Sequence, residues 1–488
     1  MLEKIDDTGV FQYFEEISKI PRGSGNTDAI SAYLVAFAKK HQLRYRQEDC
    51  GNVIIWKDAS VGCETAPITM LQGHMDMVCE KESSVEHDFK KDPLQLRMNE
   101  QYIWAEGTTL GGDDGIAIAY ALAILADSTI QHPALEVVIT IDEETGMDGA
   151  IALETEDLKS KYFINLDSEE EGVLLTSCAG GMSVNGTFPI ERQKKTGYAV
   201  SLRISGLQGG HSGTEIDKNR ENAVLLQGRI LHCLQEAMEE KTGTGICLVE
   251  LQGGKKDNAI PRDAESLVLV NNPTVASAAL EEINEMLKCE MIGREPNIKV
   301  EYEVETTQRE MEVVDLAYTK EWIFFLNHVP NGVQKYSAVI PGLVESSLNL
   351  GICETKENML YVSFSIRSSL QSYKAYIASL VKEMIVSARG RYEEKSAYPA
   401  WEYKVDSTLR SNMIAVYEEQ YGVTPKVEAI HAGLECGILS GKMPELDMVS
   451  IGPDILDIHT PKEKMDIASA QRVYEYLKAV LRKICENN

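Results

Sequence analysis

The 488 residues include 43% hydrophobic and 25% charged side chains, the proportions of an ordinary globular chain with room for two or three domains. Set against 76 acidic residues, 48 basic ones leave a net charge of −28, which repels phosphate backbones and anionic lipid and argues against nucleic-acid and membrane partners. The longest apolar run, IAIAYALAILA, has 11 residues, too few to cross a bilayer. The charged opening MLEKIDDTGVFQYFEE lacks the apolar centre of a secretory leader. Ten cysteines without a C-x-x-C pair read as reduced thiols, mostly buried, in a cytoplasmic protein.

In chain order, a helix is expected around Phe11–Ile17, then the punctuation IPRGSGNTD, then a helix near Ala29–His41 with Thr27 and Asp28 as candidate caps. NVIIWKD and ITMLQGHMD read as strands, and the Gly-rich GTTLGGDDG feeds a helix at Ile116–Leu125. ALEVVITIDEETG and KYFINLDSEEEG are apolar strands ending abruptly in acid. Alternation of helices with Val-, Ile- and Leu-rich strands points to an α/β sheet covered on both faces. After about residue 190 the texture changes to strand YAVSLRISG, a helix near Glu221–Glu236, strands GICLVELQGG and AESLVLV, and helix ASAALEEINEMLK. The order then repeats as NIKVEYEVE, AYTKEWIFFLNHV, VESSLNLGI, MLYVSFSIRSS and YKAYIASLVKEMIVSA, two successive β-α-β-β-α units that suggest an internal duplication. The α/β texture returns with a helix near Leu409–Tyr421, strands PKVEAI and LDMVSIG, and an amphipathic helix at Ile467–Ile484. The expected organisation is one α/β domain, residues 1–190 and 398–488, interrupted by an α+β insert, residues 191–397.

Polar groups gather at the carboxyl ends of the α/β strands, where ligands of open sheets bind. His74 and Asp76 share one strand face. The pairs Asp113/Asp114 and Glu143/Glu144, with Asp167 and His459, follow strands or occupy the loops between elements. Each alone reads as a cap, a solvated acid or an ordinary loop histidine. Together they would be an electrostatic liability on one sheet edge unless cations sat there. Two histidines and three carboxylates suit two divalent metals sharing one carboxylate, with zinc first and manganese or cobalt as alternatives. In that arrangement Asp76 orients the His74 ring, and the sequence itself is neutral between Asp113 and Asp114 as the shared ligand.

The stretches GHMDMV, GTTLGGDDGIAIA, TIDEETGMDGA, INLDSEEEG, GGHSG, NAIPR, HAGLECG and HTPKEKMD, in this order across nearly the whole chain, resemble the M20 metallopeptidase family and, within it, the aminoacyl-histidine dipeptidase branch. The resemblance implies a di-metal exopeptidase-type α/β catalytic domain with the insert as lid, and hydrolysis of small peptides with free termini, Xaa-His and β-alanyl-histidine types included. It implies that His74 and Asp167 hold one metal, Glu144 and His459 the other, and that Asp113 bridges. Glu143 is then the general base, and His211, crossing from a second subunit in many relatives, helps the oxyanion. Arg367 and Asn258 are candidates for the substrate carboxylate and carbonyl, and Glu435 for the ammonium. Glu435 as a purely structural acid is equally open, and Arg262 and His431 carry no assigned role. The family loop often reads D-D-K, whereas Gly115 stands here in place of the lysine. A homodimer is implied; an aminoacylase, a tripeptidase or a catalytically silent binding relative are the alternatives.

Overall fold

In a computed structural model of the chain, which describes residues 2, 5 and 8–486, the helix Gly112–Ala126 is buried on every side from Gly112 to Leu125, so it requires neighbours all round. It finds them in a unit made of Met1–Cys178, Trp401–Ala429 and Leu434–Asn488. Its core joins residues of the helices Val10–Ile17, Asp28–Lys40, Thr408–Tyr421 and Ile467–Glu486 to those of the central strands. The order across its sheet is Arg44–Gln47, Val53–Lys57, Leu135–Thr140, Thr69–His74, Tyr162–Asn165, Asp447–Ser450, Val173–Cys178 and Lys426–Ile430. The middle four strands are parallel. Every residue of Thr69–His74 and Leu135–Thr140 is buried, as strands covered on both faces must be. Three neighbouring parallel strands therefore end side by side in His74, Thr140 and Asn165, just before the acidic stretches.

The second unit comprises Ala179–Ala400 and Ile430–Gly433. Its main sheet runs Lys299–Val304, Arg192–Ser205, Ala264–Val270, Cys247–Gly253, Val344–Lys356, Met359–Ser368, Gly180–Pro189 and Arg391–Tyr398. Each neighbouring pair of these strands is antiparallel. Read from either edge, the order is the same: the last strand of a β-α-β-β-α-β unit, then its first, its third and its second. The first unit of that kind is contiguous from Arg192. The second takes its opening strand from Gly180–Pro189, ahead of the whole first unit. NIKVEYEVE is thus the closing strand of the first half, pairing with Arg192–Ser205, and not the opening strand of the second as its place in the sequence suggests. The long helices are capped as their sequences allow, with Asn222 and Asn272 accepting the free amides of Val224, Leu225, Thr274 and Val275.

One expectation about cysteine is corrected. Cys63 and Cys485, separated by 422 positions in sequence, are joined in a disulfide with Cα atoms 5.0 Å apart. Of the remaining eight, Cys178, Cys247, Cys353 and Cys436 are buried. No linear spacing signals this pair, because the last helix brings Cys485 back to the loop at Cys63. Thiol titration of protein unfolded without reductant should count eight reactive groups of the ten cysteines; a count of ten would show the pair reduced.

Candidate metal centre

His74 is the last residue of its strand and is almost wholly enclosed. Its Nδ1 lies 3.2 Å from Asp76 Oδ1 and its Nε2 lies 3.0 Å from Asp113 Oδ1 and 3.5 Å from Asp167 Oδ1. The other oxygen of Asp113 faces a second imidazole, His459 Nε2 at 3.1 Å, and that nitrogen is also 3.1 Å from Glu144 Oε1. Asp113, and not Asp114, thus presents one oxygen to each histidine. Asp114 turns away and takes the backbone N–H of His74 on Oδ2 at 3.1 Å. Room for it exists because residue 73 is glycine: a Cβ there would lie 2.3 Å from Asp114 Oδ2.

The two glutamates are not on a strand end, as the apolar run before them suggests. The strand stops at Thr140, Asp142 takes a left-handed conformation with φ of 51°, and Glu143–Gly146 is a short helix. Asp76 explains the switch. Its carboxylate accepts the backbone N–H of Glu143 at 3.1 Å and of Glu144 at 3.4 Å, along with the Ser24 hydroxyl at 2.8 Å. It caps the helix start as it orients the His74 ring, so one side chain locks both glutamates to the imidazole. Glu463 does similar work elsewhere, its two oxygens accepting the amides of Leu110, Gly111 and Gly112 at 2.8, 3.1 and 2.8 Å. That carboxylate, four residues beyond His459, ties the His459 loop to the Asp113 loop. Its only sequence trace was its place in HTPKEKMD.

The electrostatics follow from crowding. Burial and mutual repulsion push the carboxyls of Asp114, Asp167 and Glu143 well up, whereas bonds to the two imidazoles overcome burial and pull Asp113 down. Burial opposes the protonated form of His74, but the Asp167 charge and bonds to Asp113, Asp167 and Asp76 raise it above its ordinary value. His459, bonded to Asp113 and close to Glu144, is raised to about 10. In the protein alone, imidazolium protons supply the positive charge that the acids demand. His74, Asp113 and Glu144, and likewise His74, Asp114 and Asp167, each bring one donor atom within 4.8 Å of the others. The donor set is imidazole nitrogen and carboxylate oxygen, which zinc and similar divalent cations favour. Glu144 Oε1 is buried and lacks a well-directed hydrogen bond despite the nearby His459 nitrogen. On those grounds the site fits divalent cations.

The remaining candidates divide between the units. Glu435 is fully buried in the first, where its Oε2 accepts from Thr140 Oγ1 at 2.8 Å and from Gln72 Nε2, and burial raises it to about 7. In the second unit, His211 lies on a two-residue strand paired with Ala259–Ile260, and the carbonyl of Asn258 accepts the Ser212 N–H at 2.9 Å. His211 Nδ1 accepts the amides of Gly213 at 3.3 Å and Thr214 at 3.2 Å, which leaves the proton on Nε2. Burial and the Arg367 charge lower its pKa. Arg367 donates from Nη1 to the Tyr398 hydroxyl at 3.1 Å, while its buried Nε has no partner. His431 meets Ser347 Oγ at 2.7 Å, and burial beside Arg367 lowers it to about 3. Arg262 donates to the Leu207 carbonyl at 3.1 Å, a bond within the unit's own loops.

Comparison with known proteins gives the chain's family and fold. The model of peptidase family M20/M25/M40 matches residues 70–483. The chain is 35% identical over 487 residues to the cytosol non-specific dipeptidase of Escherichia coli (strain K12), covering 99% of each. The crystal structure of aminoacylhistidine dipeptidase from Vibrio alginolyticus shares 36% identity with a TM-score of 0.91, covering 99% of this chain and 97% of that one. The Bacillus cereus aminopeptidase PepT, at 15% identity, TM-score 0.58 and coverage of 98% and 99%, shares the fold. The chain belongs to peptidase family M20/M25/M40 and is a metallopeptidase.

Proposed function

We propose that this chain is a dipeptidase acting on small peptides with free termini, Xaa-His peptides among them, with two divalent cations at the strand ends. The observation that carries the reading is the position of Asp113, one oxygen toward His74 and the other toward His459. His74 and Asp167 would hold one cation, Glu144 and His459 the other, and Asp113 both; zinc suits these donors, with manganese or cobalt as alternatives. The names of the Escherichia and Vibrio relatives support the substrate class, and the former also supports a cytoplasmic location. A homodimer belongs to the same reading.

When bound, such cations lower the pKa of water and polarise the peptide carbonyl. Glu143 takes the proton of the attacking water on its carboxylate and passes it to the leaving amine. Burial and neighbouring acids raise this group above the ordinary carboxylate range, which makes it a stronger proton acceptor. Asp76 keeps the His74 ring and both glutamate amides in register. His211, with Nδ1 committed to two amides, offers Nε2–H to the oxyanion as a neutral donor. Arg367 has one nitrogen on Tyr398 and a buried, unpartnered Nε for the substrate carboxylate, and the Asn258 segment sits beside His211. Glu435 is assigned to the sheet, holding Gln72 and Thr140, and not to the substrate.

Replacing Glu143 by Gln keeps its size and the amide bond to Asp76 but removes the proton acceptor. Turnover of a panel of Xaa-His dipeptides, β-alanyl-histidine, tripeptides and N-acyl amino acids should fall by roughly 10²–10⁴-fold with metal content unchanged. Wild-type-like turnover would remove Glu143 from the reaction, and cleavage of N-acyl amino acids alone would overturn the dipeptidase reading.

The histidines supply a second test. In the metal-free protein His459 is raised from 6.5 to about 10, so at neutral pH it must lose a proton before it can ligate. Zinc binding should therefore release protons, with a heat that depends on the buffer, and should tighten as pH rises from neutrality toward about 10. By the same linkage the imidazolium pairing stabilises the metal-free fold fully below pH 6.5 and fades as pH rises through about 10. Zinc affinity flat across that window, with no proton release, would discard the protonated-pair description.

A further inference from the structure

Arg22, in the stretch IPRGSG, is among the largest side chains enclosed completely in the protein. Burying a guanidinium is costly unless its charge and protons are met. Nη1 donates to the main-chain carbonyls of Met75 at 3.0 Å and Asp76 at 2.9 Å, and Nη2 donates to the carbonyl of Gly111. Nε is buried without a partner. The charges facing the group are those of Glu463, Asp76, Asp114 and Asp113.

The space it occupies is made by missing side chains. A Cβ at Gly111, which has φ of +65°, would lie 2.5 Å from Nη2. One turn later, a Cβ at Gly115 would lie 2.5 Å from the same nitrogen and 3.3 Å from Cζ. Position 115 is where the resembling family often carries lysine and this chain carries none. The Leu110–Gly112 loop is consequently held from two sides. Glu463 takes its amides, and Arg22 takes the Gly111 carbonyl while gripping the turn that follows His74.

We propose that Arg22 is a positioning residue for the metal-binding acids: its guanidinium fills the place left by Gly115 and fixes the Asp113 loop against the His74–Asp76 turn. The inference rests on the reading of His74 and Asp113 as ligands. Removing such support costs about 10–100-fold in metal affinity.

The test is zinc affinity, measured by competition with a chromophoric chelator, beside the melting temperature of the metal-free protein. Arg22→Ala should weaken zinc binding about 10–100-fold. Millimolar guanidinium should restore part of the loss, and urea, of the same shape but neutral, should restore none. Gly115→Ala should weaken binding when Arg22 is present and change nothing further in Arg22→Ala. Wild-type protein that takes up no zinc sinks the metal reading and this inference with it. Wild-type uptake with an unaffected Arg22→Ala sinks the inference alone. A loss matched by an equal fall in metal-free stability, and unrelieved by guanidinium, overturns it in favour of general packing.

Discussion

The carboxylate of Asp113, set between two imidazoles, is the interaction on which the rest depends. Asp114, Asp167, Glu143 and Glu144 crowd the same strand ends, and at separations of a few ångströms in a poorly hydrated interior their mutual repulsion is strong. Left alone, such a cluster must protonate, spread apart or acquire positive charge. The protein alone leans toward the first and third: burial and repulsion push three carboxyls up, and neighbouring acids raise both histidines. Divalent cations satisfy the same demand with the protons gone. A site whose metal-free form already needs cationic charge between His74, Asp113 and His459 is prepared for metal by its own electrostatics.

That crowding is tolerable because main-chain groups absorb much of it. Asp76 is surrounded by two amides, a hydroxyl and an imidazole, and Glu463 by three amides. Hydrogen bonds to an ionised carboxylate are stronger than neutral ones, and these do two things at once. Each neutralises an acid that is not a candidate ligand, and each anchors a loop that carries one. The parallel sheet sets only where the chain emerges, and the final ångström of placement comes from carboxylates caught by backbone N–H groups.

Sequence revealed what side chains announce. The buried parallel strands, the all-apolar helix and the last amphipathic helix were visible as patterns, and the histidines and acids stood out because they interrupted apolar runs. What it hid were contacts made by main chain or across long separations. Nothing in TIDEETG says that the strand stops at Thr140, since the helix start is dictated by Asp76, 67 residues earlier in the chain. The Cys63–Cys485 link and the grip of Arg22 on three carbonyls leave no spacing to read. Gly180–Pro189 as the opening strand of the second half was invisible for a topological reason: a strand set ahead of the whole first repeat keeps its own pattern and loses its neighbours in sequence.

The histidines show how far environment, and not residue type, decides chemistry. His74 and His459 sit among acids and are driven toward the charged form, in which both nitrogens donate until a metal displaces the proton. His211 and His431 sit beside Arg367, and burial together with that fixed charge keeps them neutral. A neutral imidazole with Nδ1 held by two amides has one directed N–H and no charge of its own. Such a group can donate a hydrogen bond without repelling a neighbouring guanidinium. Had His211 been placed among the acids, it would have been driven toward the charged form, as His74 and His459 are. The first unit therefore raises His74 and His459 among its acids, whereas in the second burial and the Arg367 charge lower His211 and His431. The same side chain thus takes opposite charge preferences from opposite neighbours.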